Sequence, residues 1–256
     1  MARIFITGSS QGIGTECGRQ LTALGHDVVL HGRDEARSAA ALAAVPDAVA
    51  VVTGDLASLA GTSEVAAQAN ELGPFDAVIH NAGIGGGAPE RTVTDDGLEL
   101  IFQVNAVAPY VLTCLMPVSP RMVYLTSGLE NQGRWHPDDL QWTHREWNGM
   151  QAYSDSKLHV SMLSFELAAR HPEAAVNVVD PGWIQTRMGG LEAWDPVDLG
   201  AETQVWLVTS DAVPATASGR YLKRRGILEP NPAVLDERAR GDLVAELERL
   251  TGLKLP

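Results

Sequence analysis

Six short runs rich in β-branched residues recur over the first 180 positions: RIFIT (3–7), DVVLH (27–31), AVAVVT (48–53), DAVIHN (76–81), RMVYLT (121–126) and VNVVD (176–180). Runs this evenly apolar suit strands that are covered by helices on both faces. The stretches 12–25, 34–44, 59–72, 96–115 and 153–171 between them have the length and residue types of helices. This alternation predicts an α/β fold, a doubly wound parallel sheet with right-handed crossovers and helices on both faces. SGRYL (218–222) supplies a further strand, which makes about seven in all. Residues 234–251, with apolar Val234, Leu235, Leu243, Val244, Leu247 and Leu250, read as a closing helix. The 256 residues fit one large domain of this kind, and no repeat or linker divides them.

Two segments break the rhythm. Residues 128–150 are polar, Trp-rich and without a clear period, and residues 181–197 are rich in Gly and Pro. Both follow the C-terminal end of an expected strand, where open α/β sheets bind ligands. Five of the six Trp, at 135, 142, 147, 183 and 194, fall in these segments, and Trp206 alone lies elsewhere. Such rings either wall a site for a bulky, apolar or ring-containing molecule, with Trp135 and Trp183 as candidate contacts, or anchor irregular loops to the core. His136 and His144 stand near Asp138, Asp139 and Glu146. Their spacing matches no ligand pattern, so no metal site is expected.

The net charge of −13 argues against general binding to nucleic acid or to an anionic membrane. Any phosphate this chain holds must therefore be held by local chemistry. Cys17 and Cys114 lack metal-ligand spacing and suit a reduced chain. MARIFITGSS enters a strand within two residues, which leaves no room for a secretory leader. No apolar run approaches the roughly 18–20 residues of a membrane span. A cytoplasmic protein is expected.

The first run leads through TGSSQGIG (7–14) into a helix. Gly8, Gly12 and Gly14 permit a tight turn and close approach, and a helix N-terminus offers free N–H groups to a pyrophosphate. The second run ends in HGRDEAR. A dinucleotide site often has an acid there, about 20 residues past the glycines, to bind the ribose diol. Gly32 takes that place and Arg33 follows. A small residue and a guanidinium suit a 2′-phosphate, which favours NADP(H) over NAD(H); an ion pair between Arg33 and Asp34 is the plainer reading. Asp55 reads either as an acceptor for an adenine amino group or as a turn residue. In NAG (81–83), Asn81 suits a turn and Gly83 a close approach.

Tyr153 and Lys157, in YSDSK, are four apart and share one helix face. A nearby ammonium favours the phenolate and is expected to lower the Tyr153 pKa. Tyr153 could then give a proton to a carbonyl oxygen or take one from an alcohol. Ser127 ends a strand and could polarise that oxygen. Asn105, a polar residue in QVNAVAPYV, reads either as a satisfied core amide or as a water anchor that completes a proton path to Lys157.

Taken together, these residues resemble the short-chain dehydrogenase/reductase family, in order, from residue 3 to about 190. TGSSQGIG is similar to its T-G-x-x-x-G-x-G loop, NAG to its structural motif, and DPGWIQT (180–186) to its P-G-x-x-x-T element. The resemblance implies a Rossmann fold with a catalytic tetrad of Asn105, Ser127, Tyr153 and Lys157. It implies coenzyme contacts at Gly8, Ser10, Gly12, Ile13 and Gly14, and at Asp55 and Leu56 near the adenine. It also implies them at Asn81, Gly83 and Lys157, and at Pro181, Gly182, Ile184 and Thr186. The coenzyme part would span about 1–120 and the catalytic part about 121–256. A homodimer or homotetramer is implied as well. Ser127 and Tyr153 are 26 apart, wider than in many members, and 128–150 is the surplus. This layout looks most like the retinol-dehydrogenase-like branch and similar bacterial ketoreductases. The expected activity is hydride transfer between NADP(H) and a carbonyl or secondary alcohol, favouring reduction of a bulky ketone or aldehyde. Two rivals use similar folds. A nucleotide-sensing regulator has no need of the Tyr–Lys pair, and a sugar-nucleotide epimerase or dehydratase usually has another glycine spacing and a longer chain.

Overall fold

In the computed structural model, which describes residues 1–256, the expected strands are β1 (Arg3–Ile6), β2 (Asp27–Gly32), β3 (Ala50–Thr53), β4 (Ala77–His80), β5 (Arg121–Leu125), β6 (Ala175–Val179) and β7 (Arg220–Lys223). An eighth, β8 (Gly226–Leu228), adds to the expected set. The helices are α1 (Gly12–Ala23), α2 (Glu35–Ala44), α3 (Leu59–Leu72), α4 (Leu100–Phe102), α5 (Ala108–Leu115), α6 (Gly149–Arg170), α7 (Val197–Thr209), α8 (Val213–Thr216), α9 (Pro232–Leu235) and α10 (Glu237–Thr251).

All eight strands form one sheet in the order β3-β2-β1-β4-β5-β6-β7-β8, parallel except for the β7–β8 pair. Alternate strand residues serve opposite faces, as the pleat requires. Ile4 and Ile6 join one apolar cluster with Leu30, Ile79 and Val123, under α1, α2 and α7. Phe5 joins the other with Val29, Val78 and Met122, under α3, α5, α6 and α10. The winding reverses between β1 and β4, with β2 and β3 on one side and the later strands on the other. The crevice at such a switch point is where open α/β sheets take ligands.

Three departures from the sequence reading have physical causes. The strand β8 is fully exposed and follows an Arg224–Arg225 turn with φ of 49° and 62°. A two-residue hairpin of that type usually carries Asn-Gly, so the sequence gives no turn signal. Ion pairs to Asp195 and Glu202 hold the two guanidiniums instead. The helix expected over 96–115 starts at Leu100 and contains a π segment, Gln103–Val107, which carries Asn105. Such segments recur at functional sites. The closing helix is split into α9 and α10 at Asp236, which caps α10 by accepting from the N–H groups of Arg238 at 2.9 Å and Ala239 at 3.2 Å. No helix is long and apolar enough to cross a membrane.

The α10 cap is testable, because α10 buries Leu243, Val244 and Leu247 against the core. Asp236→Ala is expected to lower stability by about 1 kcal/mol, read as an earlier midpoint in urea. An unchanged midpoint would show that the cap contributes nothing.

Candidate active site

The crevice begins with the glycine loop. Gly8 and Gly12 have φ of 62° and 61°, a region that favours glycine. A Cβ on Gly8 would lie 2.7 Å from Ala82 Cα, and one on Gly14 would lie 2.5 Å from Asn81 Nδ2. The loops after β1 and β4 therefore meet at a distance that side chains forbid. Asn81 ties them together: its Nδ2 donates to the carbonyls of Thr7 at 2.9 Å and Gly8 at 3.0 Å. The helix α1 starts here with no side-chain cap and no acid in its first turn, whereas Asp34, Ser58 and Asn148 cap α2, α3 and α6. Uncapped N–H groups behind a glycine turn fit the pyrophosphate of a dinucleotide. Ser10 and Ile13 are half-buried at this mouth. Thr186 closes the other side, its Cγ2 lying 3.1 Å from where a Gly12 Cβ would stand.

At the far end of the crevice Gly32 is obligatory, since a Cβ there would lie 2.5 Å from the Ser38 amide nitrogen. Arg33 is exposed and paired with Asp34 at 3.3 Å. Arg37, which the sequence reading did not single out, reaches back to Gln11 Oε1 at 3.3 Å, beside the glycine loop. Asp55 accepts from the Ala57 N–H at 2.9 Å as a turn residue does, and Leu56 is buried beside it.

Tyr153 and Lys157 lie on successive turns of α6, and both are buried. A Cβ on Gly85 would strike Tyr153 Cδ2, and Gly85 has φ +135°. Only glycine lets that loop lie on the phenol. Lys157 Nζ donates to the Leu125 carbonyl at 3.0 Å. A Cβ on Gly83 would lie 3.1 Å from that Nζ and 3.3 Å from Asn105 Oδ1, so Gly83 leaves room for both. Asn105 is a satisfied core amide. Its Oδ1 accepts from the Ile84 N–H at 2.8 Å, and its Nδ2 donates to the Ile84 carbonyl at 2.7 Å and Ser156 Oγ at 2.9 Å. Ser127 caps the short 3-10 turn Gly128–Gln132, and its hydroxyl favours the ionised form of Tyr153. Its neighbour Thr126 faces α6 instead, donating to the Lys157 carbonyl at 2.9 Å.

The electrostatics differ from the expectation for the Tyr–Lys pair. Burial pushes the Tyr153 pKa above its ordinary value; the Ser127 hydroxyl opposes this and the Asp180 carboxylate adds to it. Lys157 Nζ stands 5.7 Å from the Tyr153 ring centroid, and burial pushes its own pKa down to about 8. Desolvation disfavours both charged forms and sets the direction of both shifts. Asp180 was also absent from the sequence reading. It accepts from the Gly182 N–H at 2.9 Å and from Lys223 Nζ at 2.8 Å.

The Trp residues divide. Trp135 packs on the main core cluster, edge-on to buried His159 at 5.9 Å between ring centroids. Of the two readings left open for these rings, this packing favours the loop anchor for Trp135. Trp142 and Trp147 lie nearer the phenol, clustered with Ile101, Ala152 and Tyr153. A cavity of about 540 Å³ opens beside these two rings; the rest of its lining, Arg134, His136, Arg145, Glu146, Asn148 and Gln151, is polar or charged, and none of Ser127, Tyr153 and Lys157 lines it. Trp183 is half-exposed, edge-on to Trp194 at 4.6 Å. The loop that bears them, from Pro181 and Gly182 onward, is anchored by buried Ile184, which leaves no room for a Cβ on Gly200 at 2.8 Å.

One guanidinium holds the 128–150 segment to α6. Arg145 lies 3.8 Å over the Trp142 ring and donates to Asp139 Oδ2 and Asp155 Oδ2, each at 3.1 Å. The Asp155 side chain is 2% exposed. Arg145→Ala would leave that carboxylate buried without its cation, at an expected cost of about 3 kcal/mol. Chemical denaturation checks this; a loss below about 0.5 kcal/mol, the scale of an exposed pair, would contradict the role.

Comparison with known proteins agrees with this geometry. The model of the short chain dehydrogenase family matches residues 2–137. The chain is 37% identical to the short-chain dehydrogenase chyC of Penicillium rubens over 259 residues, 100% of each chain. It is 33% identical to DnrU of a Streptomyces species, a candidate daunorubicin C-13 ketoreductase, covering 87% of this chain and 83% of the relative. Among solved structures, an uncharacterised protein of Mycobacterium paratuberculosis superposes with a TM-score of 0.86 at 25% identity, over 100% of this chain and 95% of that one.

Proposed function

The chain belongs to the short-chain dehydrogenase/reductase family and is an oxidoreductase of alcohol and carbonyl groups that uses a nicotinamide coenzyme; from that premise we propose that it is an NADP(H)-dependent reductase of bulky, apolar or ring-containing ketones or aldehydes. The observation that carries the reading is the buried phenol of Tyr153, with the Ser127 hydroxyl beside it and Lys157 one turn along the same helix. At neutral pH the phenol holds its proton, which is the state a proton donor needs. A relative named as a ketoreductase points the same way.

The coenzyme, when bound, supplies a hydride to the carbonyl carbon. The glycine loop from Gly8 to Gly14 and the uncapped start of α1 suit its pyrophosphate. Gly32, edged by Arg33 and Arg37, suits a 2′-phosphate. Pro181, Gly182, Ile184 and Thr186 form the facing wall. Ser127 donates to the carbonyl oxygen, and Tyr153 gives that oxygen its proton. The charge left on Tyr153 forms in the field of Lys157, in a site where low dielectric strengthens it. Asn105 fixes the Ile84 wall of the Lys157 pocket and supports return of the proton. Trp147 and Trp183 offer flat apolar surface to a ring system. A cytoplasmic location belongs to the same proposal, supported by the unpaired thiols of Cys17 and Cys114.

Reduction of a carbonyl panel, followed by NADPH absorbance, tests the reading. Aryl ketones are expected to turn over with a kcat/KM for NADPH at least about tenfold that for NADH, and the double change Arg33→Ala with Arg37→Ala is expected to remove most of that margin. A preference for NADH would overturn it.

The pH profile follows from the two shifts. Tyr153 stays protonated well into the alkaline range, so the limiting group is Lys157, which loses its charge above about 8. Reductive kcat/KM is expected to hold level near neutrality and to fall as pH rises through that value. A rate that climbs toward pH ~9 would contradict the donor role of Tyr153.

A further inference from the structure

His31 is the penultimate residue of β2 and is 2% exposed. Its Nδ1 accepts from the Gly8 N–H at 2.9 Å, and its Nε2 faces the Gly54 carbonyl at 2.9 Å. An amide N–H requires an acceptor and a carbonyl requires a donor, so the ring must be neutral with its proton on Nε2. The same residue grips the loop through its backbone: the His31 N–H donates to Ser9 Oγ at 2.7 Å, and the Ser9 N–H donates to the His31 carbonyl at 3.1 Å. On the other side of Gly8, the carbonyl accepts from Asn81 Nδ2 at 3.0 Å. Both polar backbone groups of Gly8 are therefore taken up by side chains, one from β2 and one from the loop after β4. They hold a residue whose φ of 62° has no helix or strand ladder to maintain it.

We propose that His31 is a positioning residue for coenzyme binding, its neutral Nε2–H imidazole locking Gly8 so that the N–H groups further along the loop face the pyrophosphate. The Gly8 N–H is spent on His31 and does not serve the ligand. The imidazole also reaches Gly54, next to Asp55, and so couples the pyrophosphate end of the crevice to its adenine end. Burial disfavours the protonated ring, although Gly54 and Asp55 both oppose that shift. The inference rests on the glycine loop being the coenzyme site.

Two substitutions separate the contacts. In His31→Asn the side-chain oxygen can replace Nδ1 as the acceptor for Gly8, and in His31→Gln the amide nitrogen can replace Nε2 as the donor to Gly54. Coenzyme Kd is read by titrating NADPH against Trp fluorescence. His31→Gln is expected to raise Kd about tenfold, and His31→Asn about twofold or less. The rise in Kd for His31→Gln is expected to exceed its fall in kcat. Equal Kd values for the two variants, or wild-type affinity in His31→Gln, would overturn the proposal. Nitrogen-15 NMR of the wild-type protein tests it without a variant: the Nε2–H tautomer is expected at neutral pH, and an Nδ1–H tautomer would overturn it. A wild-type protein that bound neither NADPH nor NADH would remove the coenzyme reading and this inference together. A wild-type protein that binds while the variants match each other removes this inference alone.

Discussion

Everything in the site depends on the close contact between the loops that leave β1 and β4. Residues 81–85 run from the coenzyme end of the crevice to its catalytic end, and each has a partner. Asn81 holds the carbonyls of Thr7 and Gly8. Ala82 lies where a Gly8 side chain would be. Gly83 leaves room for Lys157 and Asn105, Ile84 is held by the Asn105 amide, and Gly85 lies on Tyr153. Moving this strip by the width of a methyl group would disturb both ends at once. The glycines at 8, 83 and 85 are thus a packing requirement that registers two halves of a site.

Burial sets the electrical character of that site. The chain carries a net charge of −13, so its overall field repels an anionic coenzyme. In the proposed reading, capture falls to oriented N–H groups and to guanidiniums at the edge, which act at short range. Within the catalytic pocket desolvation raises the Tyr153 pKa and lowers that of Lys157. Below about pH 8 Lys157 still carries its charge, so proton donation by Tyr153 leaves a phenolate near an ammonium in a medium that strengthens their attraction. Lys223 compensates Asp180 at 2.8 Å, which tempers the carboxylate nearest this chemistry.

The fold was legible because two-sided burial writes itself as apolar runs, and six of the eight strands carry that mark; β7 carries it only at Tyr221 and Leu222. The exposed β8 has no buried face and therefore no such mark. The glycine loop and the Tyr–Lys spacing were legible because each demands particular residues at particular intervals. The pKa of Tyr153 was not, because spacing of four places a lysine on the same face but does not say how much water surrounds the pair. The Trp-rich segment was located but not resolved. Trp135 and Trp147 look alike in a segment without a period, and Arg145, clasped between Asp139 and Asp155, lies over the Trp142 ring that clusters with Tyr153. His31, Arg37 and Asp180 act through contacts with distant parts of the chain, which no local pattern announces.

Isotope transfer with a Tyr153→Phe variant tests the central account most directly. NADPH carrying deuterium at both positions of the nicotinamide C4 is incubated with a bulky aryl ketone, and the alcohol is analysed by mass spectrometry. The wild-type protein is expected to give singly deuterated alcohol. Tyr153→Phe is expected to bind the coenzyme within about twofold of wild type, yet to make alcohol at least about a hundredfold more slowly. Alcohol formed by the variant at the wild-type rate, or alcohol without deuterium, would contradict Tyr153 as the proton donor in a nicotinamide-linked reduction.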